Sequence, residues 1–90
     1  MDILLVDCRR QTEWEFCRIE GAMLCPLAEF SQHIEAIRER AAQRQVVVYC
    51  HTGRRSLVAA QLLRSAGINA LSLAGGIDAW ADIDTTIARY

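Results

Sequence analysis

One short segment brings together a cysteine, a glycine and two arginines, a combination that could perform nucleophilic chemistry on an anion. Cys50 follows the apolar run Val46–Tyr49, and Gly53, Arg54 and Arg55 come just before a helix-favouring segment. Beside arginines and the free N–H groups of a helix N-terminus, a cysteine has a lowered pKa, and the thiolate that results is the nucleophilic form. A glycine allows a short loop to turn its amides inward around an anion. The segment therefore predicts a sulfur nucleophile at the base of an anion-binding loop.

A plain strand-to-helix turn is the alternative interpretation of the same segment. In it, Cys50 packs in the core and the arginines are solvated, and buried cysteine is commoner than catalytic cysteine. Cysteine, glycine and arginine together at a strand-to-helix junction favour the chemical interpretation. His51 is a candidate base, although a thiolate stabilised by backbone donors does not require one. His33 falls on a polar helix face and has no claim to chemistry.

Composition restricts the classes of function. The formal charge is −1, whereas a nucleic-acid binder needs a surplus of basic side chains, so we expect no nucleic-acid partner. All 10 basic residues are arginine, which suits recognition of oxyanions, although a compositional bias would explain the absence of lysine equally well. A length of 90 residues predicts one domain over residues 1–90.

Neither the apolar runs nor the cysteines indicate a membrane, a secretory or a metal-binding protein. No apolar run approaches the roughly 18 residues that cross a bilayer, and the N-terminus lacks the basic start of a secretory signal. We therefore expect a cytoplasmic protein without a membrane partner. The four cysteines include no Cys-x-x-Cys pair, which argues against a disulfide framework and a zinc site. Cys8 and Cys25 lie within or beside apolar stretches and fit small buried side chains.

Apolar runs that alternate with helix-favouring segments position the cysteine. Four short apolar stretches predict strands: Ile3–Val6, Gly21–Cys25, Val46–Tyr49 and Ala70–Leu73. Four other segments predict helical structure: a turn opened by a capping box at Thr12–Glu15, an amphipathic helix over Leu27–Ala41, a helix over Leu57–Ala66, and a turn that carries Trp80. The alternation predicts an α/β fold with a parallel sheet covered on both faces. Ligands bind at the carboxyl ends of such strands, which is where Cys50 lies.

Five motifs, in order along the chain, resemble those of the rhodanese-type sulfurtransferases. They are Asp7-Cys8-Arg9 for Asp-x-Arg, Glu15-Phe16 for an acidic-aromatic pair, Ile19-Glu20-Gly21-Ala22 for the end of Gly-His-Ile-x-Gly-Ala, Cys50-His51-Thr52-Gly53-Arg54-Arg55-Ser56 for the active-site loop Cys-x-x-Gly-x-Arg-Ser, and Leu73-Ala74-Gly75-Gly76-Ile77-Asp78-Ala79-Trp80 for Leu-x-Gly-Gly-x-x-x-Trp. One motif alone would be weak evidence. The ordered set from Asp7 to Trp80 is specific and spans most of the chain.

The resemblance implies a rhodanese-like α/β fold, with a central parallel sheet of about four to five strands flanked by helices on both faces. It implies that the Cys50 thiolate takes sulfur from a small anionic donor such as thiosulfate, and passes it from a persulfide to cyanide or a thiol, including a protein thiol. Asp7 and Arg9 would support the loop. The anion would be bound by the residues after the nucleophile: His51, Thr52, Gly53, Arg54, Arg55 and Ser56. No cofactor or metal is implied, and the protein would be a monomer or a homodimer.

Two departures from the family pattern set limits on the resemblance. The family's Gly-His-Ile is Cys17-Arg18-Ile19 here, so another group must take the structural place of that histidine. The chain also begins almost at Asp7, whereas family members usually carry an additional strand and helix before this point. The sheet is therefore expected to have an exposed edge, which self-association or a fusion partner could cover.

Three other functions use some of the same features. Cell-cycle phosphatases share the fold and the Asp-Cys-Arg start, but they have one residue more in the loop than the four that separate Cys50 from Arg55, so the loop is narrower here. Regulatory or docking modules of the family commonly lose the cysteine that is present here. A redox switch, in which Cys17 or Cys25 resolves a modified Cys50, is a third and weaker alternative.

Overall fold

The computed structural model describes residues 3–83, in which four parallel strands form one sheet. The strands are β1 (Ile3–Asp7), β2 (Met23–Leu24), β3 (Gln45–Tyr49) and β4 (Ala70–Ser72), in the spatial order β2-β1-β3-β4. Each strand overlaps one of the four predicted apolar stretches, although β1 and β3 each extend one residue beyond it, and the predicted α/β fold with a central parallel sheet is confirmed. The predicted single domain over residues 1–90 extends beyond the described residues and stays a prediction.

Apolar side chains on both faces of β1 and β3 place these strands at the centre of the fold. The two strands pair in register from Ile3 with Gln45 to Asp7 with Tyr49. Successive side chains of a strand point to opposite faces of the sheet. One face of the pair, including the residue after each strand, carries these buried side chains: Leu4, Val6, Cys8, Val46, Val48 and Cys50.

Helices cover both faces of the sheet, as predicted. Among the described residues the α-helices are α1 (Gln11–Phe16), α2 (Ile34–Ala41), α3 (Arg54–Ser65) and α4 (Gly76–Ile83). On the face that carries Cys50, α2 and α3 bury Ile37, Ala41, Ala59, Ala60 and Leu63. On the opposite face, α4 buries Ile77 with Tyr49, Cys17 and Ile19. No helix within residues 3–83 has the length and apolar character needed to span a bilayer.

The predicted capping box at the start of α1 is wrong in position. The helix begins before Thr12, and the Glu13 carboxylate, not that of Glu15, accepts a hydrogen bond at 3.0 Å from the amide of Arg10. A carboxylate at the third helical position satisfies the free donor of the residue before the helix, whatever the side chain of that residue is. The acidic residue was therefore the decisive signal, and the hydroxyl of Thr12 was not.

The predicted helix over Leu27–Ala41 is divided into two parts. Residues Leu27–His33 form tighter three-residue turns, and only Ile34–Ala41 is α-helical. The Leu27 amide donates a hydrogen bond to the Cys8 carbonyl oxygen at 3.0 Å, which ties the start of the segment to the end of β1. Glu29 departs from helical angles, with φ −124° and ψ 24°. The apolar spacing did not reveal this break because Phe30 and Ile37 are buried in either geometry.

The edge strands of the sheet are short. β2 has two residues and β4 has three, and the Leu71 side chain of β4 is 54% exposed. Short edge strands present few backbone groups for pairing with another chain. The expected exposed edge of the sheet and its coverage by a partner both stay predictions.

Candidate active site

The candidate site lies at the carboxyl ends of β1 and β3, the two central strands. Asp7 pairs with Tyr49 at the last position of the register, so the next residues, Cys8 and Cys50, follow side by side. The Cys8 amide donates a hydrogen bond to the Tyr49 carbonyl oxygen at 3.0 Å. Cys8 and Cys50 belong to the same buried cluster. The sheet therefore brings the predicted nucleophile to the expected edge and places a second thiol beside it.

The loop after Cys50 turns sharply because Gly53 adopts a backbone conformation that other residues rarely adopt. Its φ is +110°, and α3 begins at the next residue, Arg54. A Cβ atom at this position would lie 3.3 Å from the Gly75 amide nitrogen, so both the backbone angle and the space favour glycine. The turn directs the Gly53 amide back to the Cys50 Sγ atom, to which it donates at 3.0 Å.

Ser56, in the first turn of α3, completes the surroundings of the sulfur. Its amide donates to Cys50 Sγ at 3.4 Å, and its hydroxyl oxygen lies 3.5 Å from the same atom. The Ser56 hydroxyl is fixed in turn by the Gly53 carbonyl oxygen at 3.2 Å and by the hydroxyl of Ser72, at the end of β4, at 2.6 Å. Amides in the first helical turn have no partner within the helix and are suited to an anion. The loop and the helix thus supply donors for a negatively charged sulfur.

These contacts hold the pKa of Cys50 down to about 4. The largest contribution is a hydrogen bond with the Cys8 side chain, followed by those from Ser56 and Gly53, while burial of the sulfur opposes ionisation. The same contact with Cys50 raises the pKa of Cys8 far above its ordinary value, so Cys8 remains a thiol. The Gly53 and Ser56 amides that point at Cys50 Sγ and the opposite directions of the two pKa shifts together favour a thiolate on Cys50 and a thiol on Cys8.

The sulfur of Cys50 lies below the surface, and residues next to it line two cavities. Cys50 is 1% exposed. One cavity of about 290 Å³ is lined by Cys8 and Arg55, with Arg10, Pro26, Leu27 and Ala28. The other, of similar volume, is lined by the loop residues Thr52, Gly53 and Arg54 and by Leu57, Ser72, Ala74 and Gly75. Cys50 is therefore buried, as in the plain-turn interpretation, but the loop amides point at its sulfur, which that interpretation does not explain.

The two arginines after the loop have different surroundings. Arg55 forms a bidentate ion pair with Glu13 of α1, with N–O distances of 2.7 and 2.9 Å, and this contact raises the pKa of Arg55. Arg54 is exposed and lines the cavity that contains Thr52. The positive charge of Arg55 is thus already compensated by a carboxylate, whereas Arg54 is placed to attract a small anion from solution.

His51 connects the loop to α4. Its Nε2 atom lies 3.0 Å from the Asp78 carboxylate. The first turn of α4 also holds the loop backbone, because the Ile77 amide donates to the Cys50 carbonyl oxygen at 2.9 Å and the Asp78 amide donates to that of His51 at 3.3 Å. This arrangement gives His51 a role in fixing the loop.

The predicted supports, Asp7 and Arg9, form a fully buried ion pair. Arg9 Nη2 lies 2.8 Å from Asp7 Oδ2, and both side chains are 0% exposed. The Arg9 guanidinium also donates to the Cys17 carbonyl oxygen and lies 5.6 Å from the centre of the Tyr49 ring. Asp7 and Tyr49 point to the sheet face opposite Cys8 and Cys50, because side chains alternate along a strand. The pair therefore fixes the strand ends from behind the site and does not touch the sulfur.

Four residues at the site were not singled out by sequence reasoning: Cys8, Glu13, Ser72 and Asp78. A signal existed for Cys8, since it and Cys50 each come within two residues of the end of a central apolar run. The Glu13 and Asp78 contacts span 42 and 27 positions of the chain, so no local pattern indicates them.

The curated proteins that resemble the chain in sequence include two that are named sulfurtransferases. It is 40% identical over 83 residues to a "Sulfurtransferase" of Allochromatium vinosum, which corresponds to 89% of this chain and 73% of that protein. It is 38% identical over 80 residues to the "Probable adenylyltransferase/sulfurtransferase MoeZ" of Mycobacterium tuberculosis. That match includes 88% of this chain but only 20% of MoeZ. The chain thus corresponds to a small part of MoeZ and to most of the Allochromatium protein.

Solved structures and a family model extend these similarities. A rhodanese-related protein of Thermoplasma volcanium superposes with a TM-score of 0.85 over 99% of this chain and 86% of its own, at 22% identity. A protein of Rhodopseudomonas palustris described as of unknown function, "Possible Tyrosine Phosphatase", superposes with a TM-score of 0.77 over 92% of this chain and 68% of its own, at 26% identity. The model of the Rhodanese-like domain matches residues 1–83. The chain therefore belongs to the family of rhodanese-like domains.

Proposed function

We propose that the protein is a sulfurtransferase, which moves a sulfane sulfur from thiosulfate or a similar anionic donor to a thiol or to cyanide through a persulfide on Cys50. The observation that carries the proposal is the convergence of the Gly53 and Ser56 amides on Cys50 Sγ, at 3.0 and 3.4 Å. Relatives that are named sulfurtransferases support the same class of reaction.

The first half-reaction is a displacement at sulfur. The Cys50 thiolate attacks the outer sulfur of thiosulfate, a new S–S bond forms, and the old S–S bond breaks so that sulfite leaves with the electron pair. The product is an anionic persulfide, Cys50–Sγ–S⁻. Amides that already point at the loop interior stabilise this charge without reorganisation. The exposed guanidinium of Arg54 attracts the anionic donor, and the loop residues from His51 to Ser56 enclose it.

The second half-reaction returns the enzyme to its first state. An acceptor thiolate or cyanide attacks the terminal sulfur, and Cys50 leaves as a thiolate. A thiolate of low pKa is a good leaving group, so the contacts that hold the pKa of Cys50 at about 4 assist this step as well as the first. Two displacements replace one difficult transfer. A protein thiol is one possible acceptor, and the four free cysteines suit a reducing compartment such as the cytoplasm.

A phosphatase is an alternative function, because one similar solved structure is described as a possible tyrosine phosphatase. Two features of the site disfavour it. Four residues separate Cys50 from Arg55. Two of the five N–H donors of Arg55 bind the Glu13 carboxylate, which also compensates the charge of the guanidinium, and this disfavours a phosphoryl dianion beside the sulfur. A docking module is the other alternative, and there the donors arranged around an ionised Cys50 would have no purpose.

Intact mass spectrometry tests the proposal directly. The reduced protein is incubated with thiosulfate, the excess donor is removed, and the intact mass is measured. We expect one added sulfur atom, its localisation to Cys50 by peptide mapping, and its removal by cyanide as thiocyanate. Cys25→Ala is the matched control and should load like the wild type, whereas Cys50→Ala should not load. Thiosulfate turnover by Cys50→Ala, or hydrolysis of aryl phosphates faster than sulfur transfer, would refute the assignment.

A further inference from the structure

We propose that Cys8 is a second reacting thiol, which resolves the Cys50 persulfide by forming a Cys8–Cys50 disulfide and releasing hydrosulfide. The inference rests on the proposed persulfide. The loaded protein can then react in a second way. When no acceptor binds, the terminal sulfur leaves as hydrosulfide, and Cys50 stays in an inactive disulfide until a thiol reduces it.

Strand register places the two sulfurs within bonding reach. Cys8 and Cys50 follow the paired residues Asp7 and Tyr49 of two adjacent strands, and their side chains lie in one buried cluster. Neighbouring strands are about 4.8 Å apart, and disulfides join Cα atoms about 4.4 to 6.8 Å apart. This strand spacing lies within the range of Cα separations that a disulfide joins, so the register is compatible with a bridge between Cys8 and Cys50.

The other two cysteines are not placed for this reaction. Cys25 follows Leu24, which pairs with Asp7, so Cys25 lies beside Cys8 but two strand spacings from Cys50. That separation is about 9.6 Å, beyond the reach of a disulfide. Cys17 packs with Tyr49 on the opposite face of the sheet. The structure thus replaces the expected resolving residues, Cys17 or Cys25, with Cys8.

The step balances without an external oxidant, because the persulfide already holds the oxidising equivalent. The Cys8 sulfur attacks Cys50 Sγ, the Sγ–S bond breaks, and the terminal sulfur departs with the electron pair and the Cys8 proton: Cys50–S–S⁻ plus Cys8–SH gives Cys50–S–S–Cys8 plus HS⁻. The terminal sulfur is reduced and the Cys8 sulfur is oxidised, while Cys50 Sγ keeps the oxidation state that it has in the persulfide. One cavity is lined by Cys8 and Arg55 and provides a path by which the anion leaves.

Loading the Cys50 persulfide also changes the state of Cys8. In the resting pair, the hydrogen bond with Cys50, burial of the thiol and repulsion by the charge on Cys50 all raise the pKa of Cys8 and keep it protonated. In the persulfide, the charge moves to the terminal sulfur, which lies one bond further from Cys8. Cys8 is therefore held inactive in the resting state and becomes a better nucleophile only after sulfur has been loaded on Cys50.

The test follows loaded protein in the absence of oxygen and of any acceptor. Wild-type protein is loaded with thiosulfate and, in parallel, with inorganic tetrasulfide, and is then freed of donor. We expect one equivalent of hydrosulfide to appear as the added sulfur disappears, leaving a mass two hydrogens below that of the reduced protein. Peptide mapping without reductant should locate the new bond between Cys8 and Cys50. Cys25→Ala should behave like the wild type.

In Cys8→Ala and Cys8→Ser, the persulfide should persist roughly tenfold longer or more, because the neighbouring thiol is gone. A circular dichroism spectrum like that of the wild type shows that each variant is folded. A wild-type persulfide as stable as that of Cys8→Ala, or hydrosulfide release without the Cys8–Cys50 bond, overturns the role of Cys8 and leaves sulfur transfer intact. Loading by tetrasulfide but not by thiosulfate refutes thiosulfate as the donor, and the tetrasulfide-loaded protein still tests whether Cys8 resolves the persulfide. If neither donor loads Cys50, both proposals are wrong.

Discussion

The charge on Cys50 should be visible in the stability of the protein. The folded state holds the pKa of Cys50 at about 4, against a reference value of 9.0. Between these values the unfolded state binds one proton more than the folded state. The contribution of Cys50 to the free energy of unfolding therefore rises with pH, and it is lost as the pH falls through the folded pKa. The slope from this group is about 1.4 kcal/mol per pH unit, or roughly 3 kcal/mol between about pH 5.5 and 7.5.

Replacing Cys50 removes this contribution, and Cys50→Ser does so with little change in volume. Urea unfolding of the reduced wild type and of Cys50→Ser, measured at several pH values across that window, gives two stability curves. Groups that both proteins share cancel in the difference, which should grow with pH at about 1.4 kcal/mol per unit. Parallel curves would mean that Cys50 is a thiol in the folded state, and the reasoning about its donors would then be wrong.

Two further substitutions test contacts around the loop. Glu13→Gln removes the carboxylate that compensates Arg55, so loading by thiosulfate should be roughly two- to tenfold faster, with a gain that shrinks as salt is added, whereas Glu15→Gln in the same helix should have little effect. Loading rates that are equal for both variants would contradict the assigned role of Arg55. Gly76→Ala should lower the free energy of unfolding by roughly 3 kcal/mol, because φ is +58° and a Cβ atom would collide with carbonyl oxygens of the loop. Gly67→Ala, at φ +81° with open space around it, should cost only about 1 kcal/mol in urea unfolding, and equal losses would contradict the collision.

The strands and the position of Cys50 could be predicted from the sequence because they depend on local patterns. A continuous apolar run such as Val46–Tyr49 fits a strand that is buried on both faces, and a cysteine directly after it must lie at the carboxyl end. The need for glycine at position 53 was predictable for the same reason, since a tight turn between strand and helix requires a positive φ.

The surroundings of the sulfur could not be predicted in the same way. The contact between Cys8 and Cys50 depends on the register of two strands that are about 40 residues apart in sequence, and apolar runs do not specify the register of a strand buried on both faces. The pairing of Arg55 with Glu13 likewise depends on where α1 is placed over the sheet. The sequence therefore indicated a positive residue near the sulfur, but not that a carboxylate neutralises it.

The attachment of α4 to the loop has a consequence for specificity. Peptide groups at Cys50 and His51 turn their carbonyl oxygens toward the amides of Ile77 and Asp78, while the amide of Gly53 faces the sulfur. With the oxygens held on one side, the loop cannot flip its peptide planes and present acceptors to an incoming group. The backbone of the loop therefore prefers a negative charge before any donor binds. Exposed side chains such as Thr52 can differ between related proteins without removing this preference.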